Sequence, residues 1–435
     1  MVAARLDTGS SDFDAAFAAL LAAKREVSQD VDETVAAILA DVEARGAAAL
    51  IDHTNRFDRV AFTAQDLRVS TAEIAAAREA CDAETLEALE FAHRRITEHH
   101  GRSLPQDDRY RDGEGVELGH RWTPVDAAGL YVPGGTAAYP SSVLMNAVPA
   151  RVAGVERLVI TVPTPDGILN PLVLAAAAIA GVEEIYRVGG AQAVAALAFG
   201  TETIAPVDVV VGPGNAYVAA AKRRVFGRVG IDMIAGPSEV LVIADAANDP
   251  AWIAADLLAQ AEHDTVAQSI LITDDAGFAD AVEAAVASQL KDLPRSDIAG
   301  ESWRDFGACI IVADWGEAVR LADRLAPEHL EIAVDDPEPL AATIRNAGAM
   351  FLGRYTPEAI GDYVAGTNHV LPTARSARYA SGLGVLDFMK RTSILKCDPD
   401  ALAALAPAAV ALGRAEGLDA HARSVTIRLN RVVGD

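Results

Sequence analysis

Cysteine is scarce in this chain of 435 residues: Cys81, Cys309 and Cys397 lie far apart and form no CxxC pair. So sparse and odd a set excludes a disulfide scaffold and fits a reducing, cytoplasmic compartment. Basic residues are in deficit, 37 Lys and Arg against 62 Asp and Glu, for a formal net charge of −25. Binding to a phosphate backbone needs basic stripes; none stands out, which argues against a nucleic-acid partner. Long hydrophobic runs are missing as well. The longest, "PLVLAAAAIAGV" (171–182), falls short of the about 20 residues that a membrane-spanning helix requires. Near the N-terminus, "AAFAALLAAK" (15–24) is apolar, but Asp12 and Asp14 precede it where a signal peptide would be basic, and no clear cleavage site follows. It reads as a helix. Neither the GxGxxG dinucleotide fingerprint nor the HExxH zinc motif occurs.

What is present is an ordinary globular composition, 51% apolar and 23% charged, in a chain long enough for about two to four domains. Residues 1–110 read as a helical arm or platform, with Val35, Ile38, Leu39 and Val42 at helical spacing. From about residue 120, short β-branched runs end in Gly/Pro turns and lead into Ala-rich helices: "AGLYVPGG" (128–135), "RLVITVPTP" (157–165), "EIYRVGG" (184–190) and "VDVVVGPGN" (207–215). A second series holds "SEVLVIAD" (238–245), "SILITD" (269–274), "ACIIVAD" (308–314), "HLEIAV" (329–334) and "GAMFLG" (348–353). Strand, turn and helix in repetition predict parallel sheets with crossover helices. The expected fold is α/β: two Rossmann-like parallel-sheet lobes with a helical N-terminal arm and a helical C-terminal tail. The expected boundaries are 1–110 for the arm, 111–235 for the first lobe, 236–380 for the second and 381–435 for the tail. Pro407 and Gly417 interrupt that tail.

Ligands in open α/β sheets settle at the carboxyl ends of strands. Three Gly-rich turns are expected there: "YVPGG" (131–135), "VGGAQA" (188–193) and "VGPGNA" (211–216). Glycine admits the close approach of a phosphate, and a following helix N-terminus favours an anion. One such turn signifies only a tight bend. Three in one lobe, with the amides Gln192 and Asn215 close behind two of them, favour a nucleotide.

The stretch "NDPAWIAADLLAQAEHD" (248–264) predicts a helix capped by Asp249, with Pro250 in its first turn and Ile253, Leu257 and Leu258 as its apolar stripe. Gln260 and His263 share a face at its end. They are either an ordinary polar helix end or half of a metal site. Of nine histidines, His53, His93, His99, His100 and His120 lie in or near the arm and read most simply as surface residues. His263, His329, His369 and His421 sit in less ordinary settings: "APEHLEI" (326–332) pairs Glu328 with His329 before a strand, "GDYVAGTNHVLPT" (361–373) holds Asp362 and His369, and "EGLDAHARS" (416–424) holds Glu416 and His421.

These residues carry a resemblance. From about residue 25 to the C-terminus the chain resembles the histidinol dehydrogenases. The most specific block is "IDMIAGPSEVLVIADAANDPAWIAADLLAQAEHD" (231–264), with "GLYVPGG", "VGPGN", "APEHLE", "GDYVAGTNHVLPT" and "EGLDAH" in the same order. The resemblance implies a zinc-dependent enzyme that oxidises L-histidinol through histidinal to histidine with two NAD. It implies zinc ligands Gln260, His263, Asp362 and His421, and a homodimer in which His421 and Glu416 reach the partner's active site. Catalytic roles fall to Glu328 and His329. Substrate contacts fall to Ser238, Gln260, His263, His329, Asp362, Glu416 and His421, and NAD contacts to Tyr131, Gln192 and Asn215. His369 is a further pocket candidate. On the residues alone, the better explanation of Ser238 and Asn215 is a capping or turn role: Ser238 as a cap, Asn215 in the Gly-Pro-Gly bend.

The implied chemistry is consistent with elementary constraints. Alcohol to acid removes four electrons, hence two hydride transfers. Zinc has a full d shell and carries none of them. An imidazole is suited to take the hydroxyl proton near neutral pH, which points to His329; Glu328 is the base for the water that hydrates the aldehyde. A thiohemiacetal route would need a cysteine nucleophile, and the motif blocks hold none. Three rival readings remain: a dehydrogenase of the same architecture acting on another amino or sulfonate alcohol, a zinc hydrolase, and a non-catalytic binding module. Retained Glu416 and His421, the Gly-rich turns and the complete residue set argue against them in that order.

Overall fold

The computed structural model describes residues 3–22, 29–134 and 139–429. Ala23 and Lys24 of the N-terminal apolar run, Gly135 of "YVPGG" and the tail beyond Leu429 lie outside the described residues. The chain divides into two compact units, one formed by residues 1–103 and 126–388, the other by 104–125 and 389–435.

The larger unit contains two parallel sheets. The first is built from β4 (Ala127–Tyr131), β5 (Arg157–Thr161), β6 (Glu184–Tyr186), β7 (Val209–Val211) and β8 (Gly230–Ile231), in the order β6-β5-β4-β7-β8. The order reverses at β4, which makes the carboxyl ends of β4 and β7 the topological switch point, the place where ligands of such sheets bind. All three Gly-rich turns leave carboxyl ends of this sheet, after β4, β6 and β7. The helix Gln29–Arg45 packs on Gly190–Phe199 and Ala216–Val225, and Val35, Ile38, Leu39 and Val42 are buried there.

The second sheet joins β9 (Glu239–Ala244), β10 (Gln268–Thr273), β11 (Ala308–Ile311), β12 (His329–Ala333) and β13 (Ala349–Leu352) to an N-terminal strand, β1 (Ala4–Asp7), in the order β1-β11-β10-β9-β12-β13. Alternation along β9 serves both faces. Val240, Val242 and Ala244 meet the helices Pro250–Ala261, Ala276–Gln289 and Ser296–Phe306, while Leu241 and Ile243 meet Phe13–Ala22 and Trp315–Leu325. Asp249 caps its helix by accepting from the Ala251 amide at 2.8 Å, and Ile253, Leu257 and Leu258 are buried as the spacing predicts. Each such burial contributes roughly 1.5–3 kcal/mol.

The smaller unit is an antiparallel sheet of β2 (Asp108–Arg111), β3 (Glu117–Pro124) and β14 (Met389–Lys396), ordered β14-β3-β2, with the helices Pro399–Ala415 and Asp419–Leu429. The arm and the tail are mainly helical, as expected, and each also contributes strands. β1 and most of β2 come from the arm and β14 from the tail. Pro407 sits inside an unbroken helix, whereas Gly417, at φ 72°, does follow its end. His100 corrects an expectation: it is buried, not a surface residue. No helix among the described residues is long and apolar enough to cross a membrane.

Candidate active site

The chemically loaded residues gather at the amino end of the second sheet, where β9 starts at Glu239 and β12 at His329. A helix that follows a parallel strand runs back towards that strand's beginning, so Pro250–Ala261 delivers Gln260 to the same end. The carbonyls of a helix C-terminus carry partial negative charge, which favours a cation there.

His329 is the centre. Its Nδ1 donates to the Glu239 carbonyl at 3.0 Å, which fixes the tautomer and leaves the Nε2 lone pair unused. Among the described residues Nε2 has no hydrogen-bond partner; the Asp362 Oδ1 stands 3.8 Å away. Burial holds the His329 imidazole down to about 4, against the opposing pull of Asp362 and the Glu239 carbonyl; the charges of His263 and His369 add to the depression. With Nδ1 donating to a carbonyl, the open Nε2 is the position at which the ring can accept a proton. Beside it, Glu328 is buried, with Oε2 accepting from the Glu239 amide at 2.9 Å and 3.7 Å from His329 Nδ1.

A third carboxyl closes the group. Glu358 is buried, its Oε1 3.5 Å from His329 Nδ1, and its Oε2 unpartnered. Burial first, and then the charges of Asp362, Glu331 and Glu328, push its carboxyl well above the usual range. The Glu358 amide donates to Glu331 Oε1 at 2.6 Å. Glu331 and Asp256 are hydrogen-bonded through their side chains, and burial raises both.

Gln260 is fully buried. Oriented so that its NH2 donates, it reaches Glu358 Oε1 and the Glu239 carbonyl, each at 3.3 Å, and the amide oxygen is turned away from both. His263 lies just past the helix, which ends at Ala261 with Glu262 as its cap; its amide donates to the Gln260 carbonyl at 3.2 Å and its side chain is exposed. Asp362 stands on the short helix Glu358–Tyr363. His369 Nδ1 donates to the Asp362 carbonyl at 3.0 Å and its Nε2 meets Ser142 Oγ at 3.3 Å, so His369 braces the backbone that carries Asp362. Ser238 leads into β9, its carbonyl accepting from the Gln268 amide at 3.0 Å.

The structure thus brings Gln260, Glu328, His329 and Asp362 into one neighbourhood, with His263 close enough for its charge to bear on His329. Glu416 and His421 belong to the smaller unit and are exposed there, Glu416 capping one helix and His421 in the first turn of the next. The ligand atoms of His329, Glu358 and Asp362 lie within 4.8 Å of one another. With two buried unpartnered atoms, on His329 and Glu358, and an amide oxygen on Gln260, this donor set fits a divalent cation. Of the expected ligands only Asp362 is in the tight trio. Glu358, four residues before Asp362 and so on its helix face, is the residue that sequence reasoning passed over.

On the first sheet, Tyr131 is buried with its hydroxyl accepting from the Gly190 amide at 3.1 Å. Gln192 is buried with Oε1 unpartnered. Asn215 caps Ala216–Val225 through the Tyr217 and Val218 amides at 3.1 and 3.2 Å. The capping role open to Asn215 is the one it plays.

The family model for histidinol dehydrogenase matches residues 21–429. A histidinol dehydrogenase of Bradyrhizobium diazoefficiens is 69% identical over 426 residues, 98% of this chain and 99% of that protein. One of Rhizobium meliloti is 67% identical over 429 residues, 99% of each. The crystal structure of histidinol dehydrogenase from Elizabethkingia anophelis superposes with a TM-score of 0.93 at 35% identity, covering 98% of both chains.

Proposed function

The chain belongs to the histidinol dehydrogenase family, and from that premise we propose how its residues divide the work of oxidising L-histidinol to histidine with NAD, the closing reaction of histidine biosynthesis. The observation that carries the reading is the buried His329, with Nδ1 committed to the Glu239 carbonyl and Nε2 open.

His329 Nε2 takes the hydroxyl proton as the carbinol hydride leaves for the nicotinamide. The product is histidinal, one NADH and a proton on His329. Water then adds to the aldehyde carbon, and Glu328 takes a proton from that water. Loss of a second hydride from the hydrated aldehyde gives the carboxylic acid and a second NADH. A positioned base contributes about 10²–10⁴ in rate to each proton transfer. Cys309 takes no part: it is buried within β11 and burial pushes its thiol far up.

Gln260, His263 and Asp362, with His421 of the partner subunit, are the proposed zinc ligands, and Glu416 of the partner subunit is the proposed anchor for the substrate's imidazole or amine. Bound there, zinc supplies a fixed positive charge that orients the substrate's nitrogens. Gln260 is preset for this by its two donated hydrogen bonds, and His369 holds Asp362 from behind. Ser238 completes the substrate contacts. Tyr131, Gln192 and Asn215 are the proposed NAD contacts, supported by three Gly-rich turns at the carboxyl end of one sheet. A homodimer with shared active sites, in the cytoplasm, accommodates these roles.

The test is turnover of purified protein with L-histidinol and NAD, before and after a chelator. Two NADH per histidinol, lost on chelation and restored by zinc, is the expected result. Turnover without NAD would make the site a hydrolase. Full activity after verified removal of the metal would end the zinc reading.

A further inference from the structure

Ten residues apart, Lys222 on the helix Ala216–Val225 and Asp232 just past β8 form an ion pair whose two side chains are 2% and 0% exposed. Charges are expensive to bury, and such a pair rarely adds net stability over apolar residues of the same size. What distinguishes this one is where its hydrogen bonds go. Lys222 Nζ donates to the Gly212 carbonyl at 2.9 Å, and Asp232 Oδ2 accepts from the Gly212 amide at 2.8 Å. The cation and the anion therefore hold the two main-chain polar groups of a single residue. The remaining carboxylate oxygen accepts from the Met233 amide at 2.6 Å.

Gly212 is the first glycine of "GPGN". Its φ is +107°, and a Cβ added there would stand 2.2 Å from the Tyr131 carbonyl oxygen. Only glycine takes this conformation readily, and its freedom is lost when the surroundings fix it. Here they do: both peptide planes around Gly212 are pinned, Pro213 fixes the next φ, and Asn215 caps the helix that follows.

We propose that Lys222 and Asp232 are positioning residues that set the Gly212–Pro213–Gly214 turn in its cofactor-binding shape before NAD arrives. The proposal rests on the reading of that turn as part of the NAD site. It has a second consequence. Asp232 opens the segment that runs through Ser238 to Glu239, whose carbonyl holds His329. The clamp thus joins the cofactor turn to the main chain that positions the base.

Two measurements test it. Hydrogen exchange, followed by mass spectrometry on peptides spanning 209–217, is run on the wild-type enzyme with and without NAD. Strong protection at Gly212 already in the free enzyme is expected; an unprotected turn that NAD slows by more than about tenfold overturns presetting. NAD that slows exchange elsewhere but nowhere among the three Gly-rich turns overturns the cofactor reading itself, and the proposal with it. The second measurement uses Lys222→Met and the doubly neutral Lys222→Met/Asp232→Asn, which leaves no unpaired buried charge. Both are expected to raise KM for NAD about tenfold or more while KM for histidinol stays within about threefold. A doubly neutral variant with wild-type KM for NAD would reduce the pair to a structural one and overturn the proposal.

Discussion

Replacing Gly361 by alanine places one methyl group where the active-site geometry has no room for it. The glycine is buried on the short helix that carries both Glu358 and Asp362. A Cβ there would lie 2.4 Å from Phe351 Cε1 and 2.9 Å from its Cζ. Carbon atoms rest about 3.5–4.0 Å apart, so roughly 1 Å must open. The Phe351 ring packs against His329, centroids 6.0 Å apart, and cannot yield without pressing on the base. The alternative is retreat of the helix, which carries Asp362 and Glu358 away from His329. Overpacking costs about 1–3 kcal/mol, while alanine's better helix propensity returns at most about 1 kcal/mol. The net loss of stability is thus about 0–3 kcal/mol, less than the about 5–15 kcal/mol of a folded domain, and the protein stays folded. Activity is the more sensitive quantity, because a 1 Å misplacement can cost about 10² in rate. Urea unfolding, zinc content and kcat/KM for histidinol, measured on one preparation, separate the two. A variant with kcat/KM within about threefold of wild type, or one whose activity falls only with its folded fraction, would refute this account of how Asp362 is placed.

Three further outcomes follow from the same geometry. Glu328→Gln should keep alcohol oxidation and lose acid formation by about 10²–10⁴, read as histidinal trapped against histidine formed; equal loss of both half-reactions contradicts the division between Glu328 and His329. Cys309→Ala should oxidise histidinal at the wild-type rate within about twofold, with some loss of stability from the cavity; a dead variant that is still folded would reinstate a thiol intermediate. His100 is held down to about 4 by burial, with His99 adding to the effect. A lowered histidine keeps its contribution above its unfolded value near 6.5 and loses it as pH falls from there towards about 4, a total of about 3 kcal/mol. His100→Leu should therefore flatten the decline of unfolding free energy across that window by up to about one proton, and an unchanged slope would mean that His100 is hydrated.

Much of this architecture can be read in the residues, for identifiable reasons. Nine strands of the two parallel sheets, all but β1 and the two-residue β8, announce themselves as short β-branched or apolar runs, and Pro250–Ala261 does where Asp249 and an apolar stripe coincide. β1 is silent because "ARLD" buries only Leu6 of its strand residues. "MKRTSILK" is silent because β14 has no fully buried position, so no alternation betrays it. At the site, Glu328 and His329 stand out as an adjacent pair before a strand, and Gln260 and His263 by spacing. Glu358 could be seen as a partner of Asp362 by helical periodicity, yet its importance comes from burial, which spacing does not encode. The same holds for Lys222, which looks like part of an ordinary basic helix end until Asp232 is folded over it.

The smaller unit bears on synthesis of the protein. β3 pairs with β14 along its whole length, from Glu117↔Lys396 to Pro124↔Met389. A ribosome must therefore complete both parallel sheets before the third strand of this one emerges. Until then β2 and β3 are a lone hairpin with an open edge, marginal by itself and available to any other unpaired strand. Pairing so distant in sequence is slow to form. The nascent enzyme therefore passes through a stage in which its main body is built and a β-edge waits uncovered, which is where chaperone engagement and aggregation would compete.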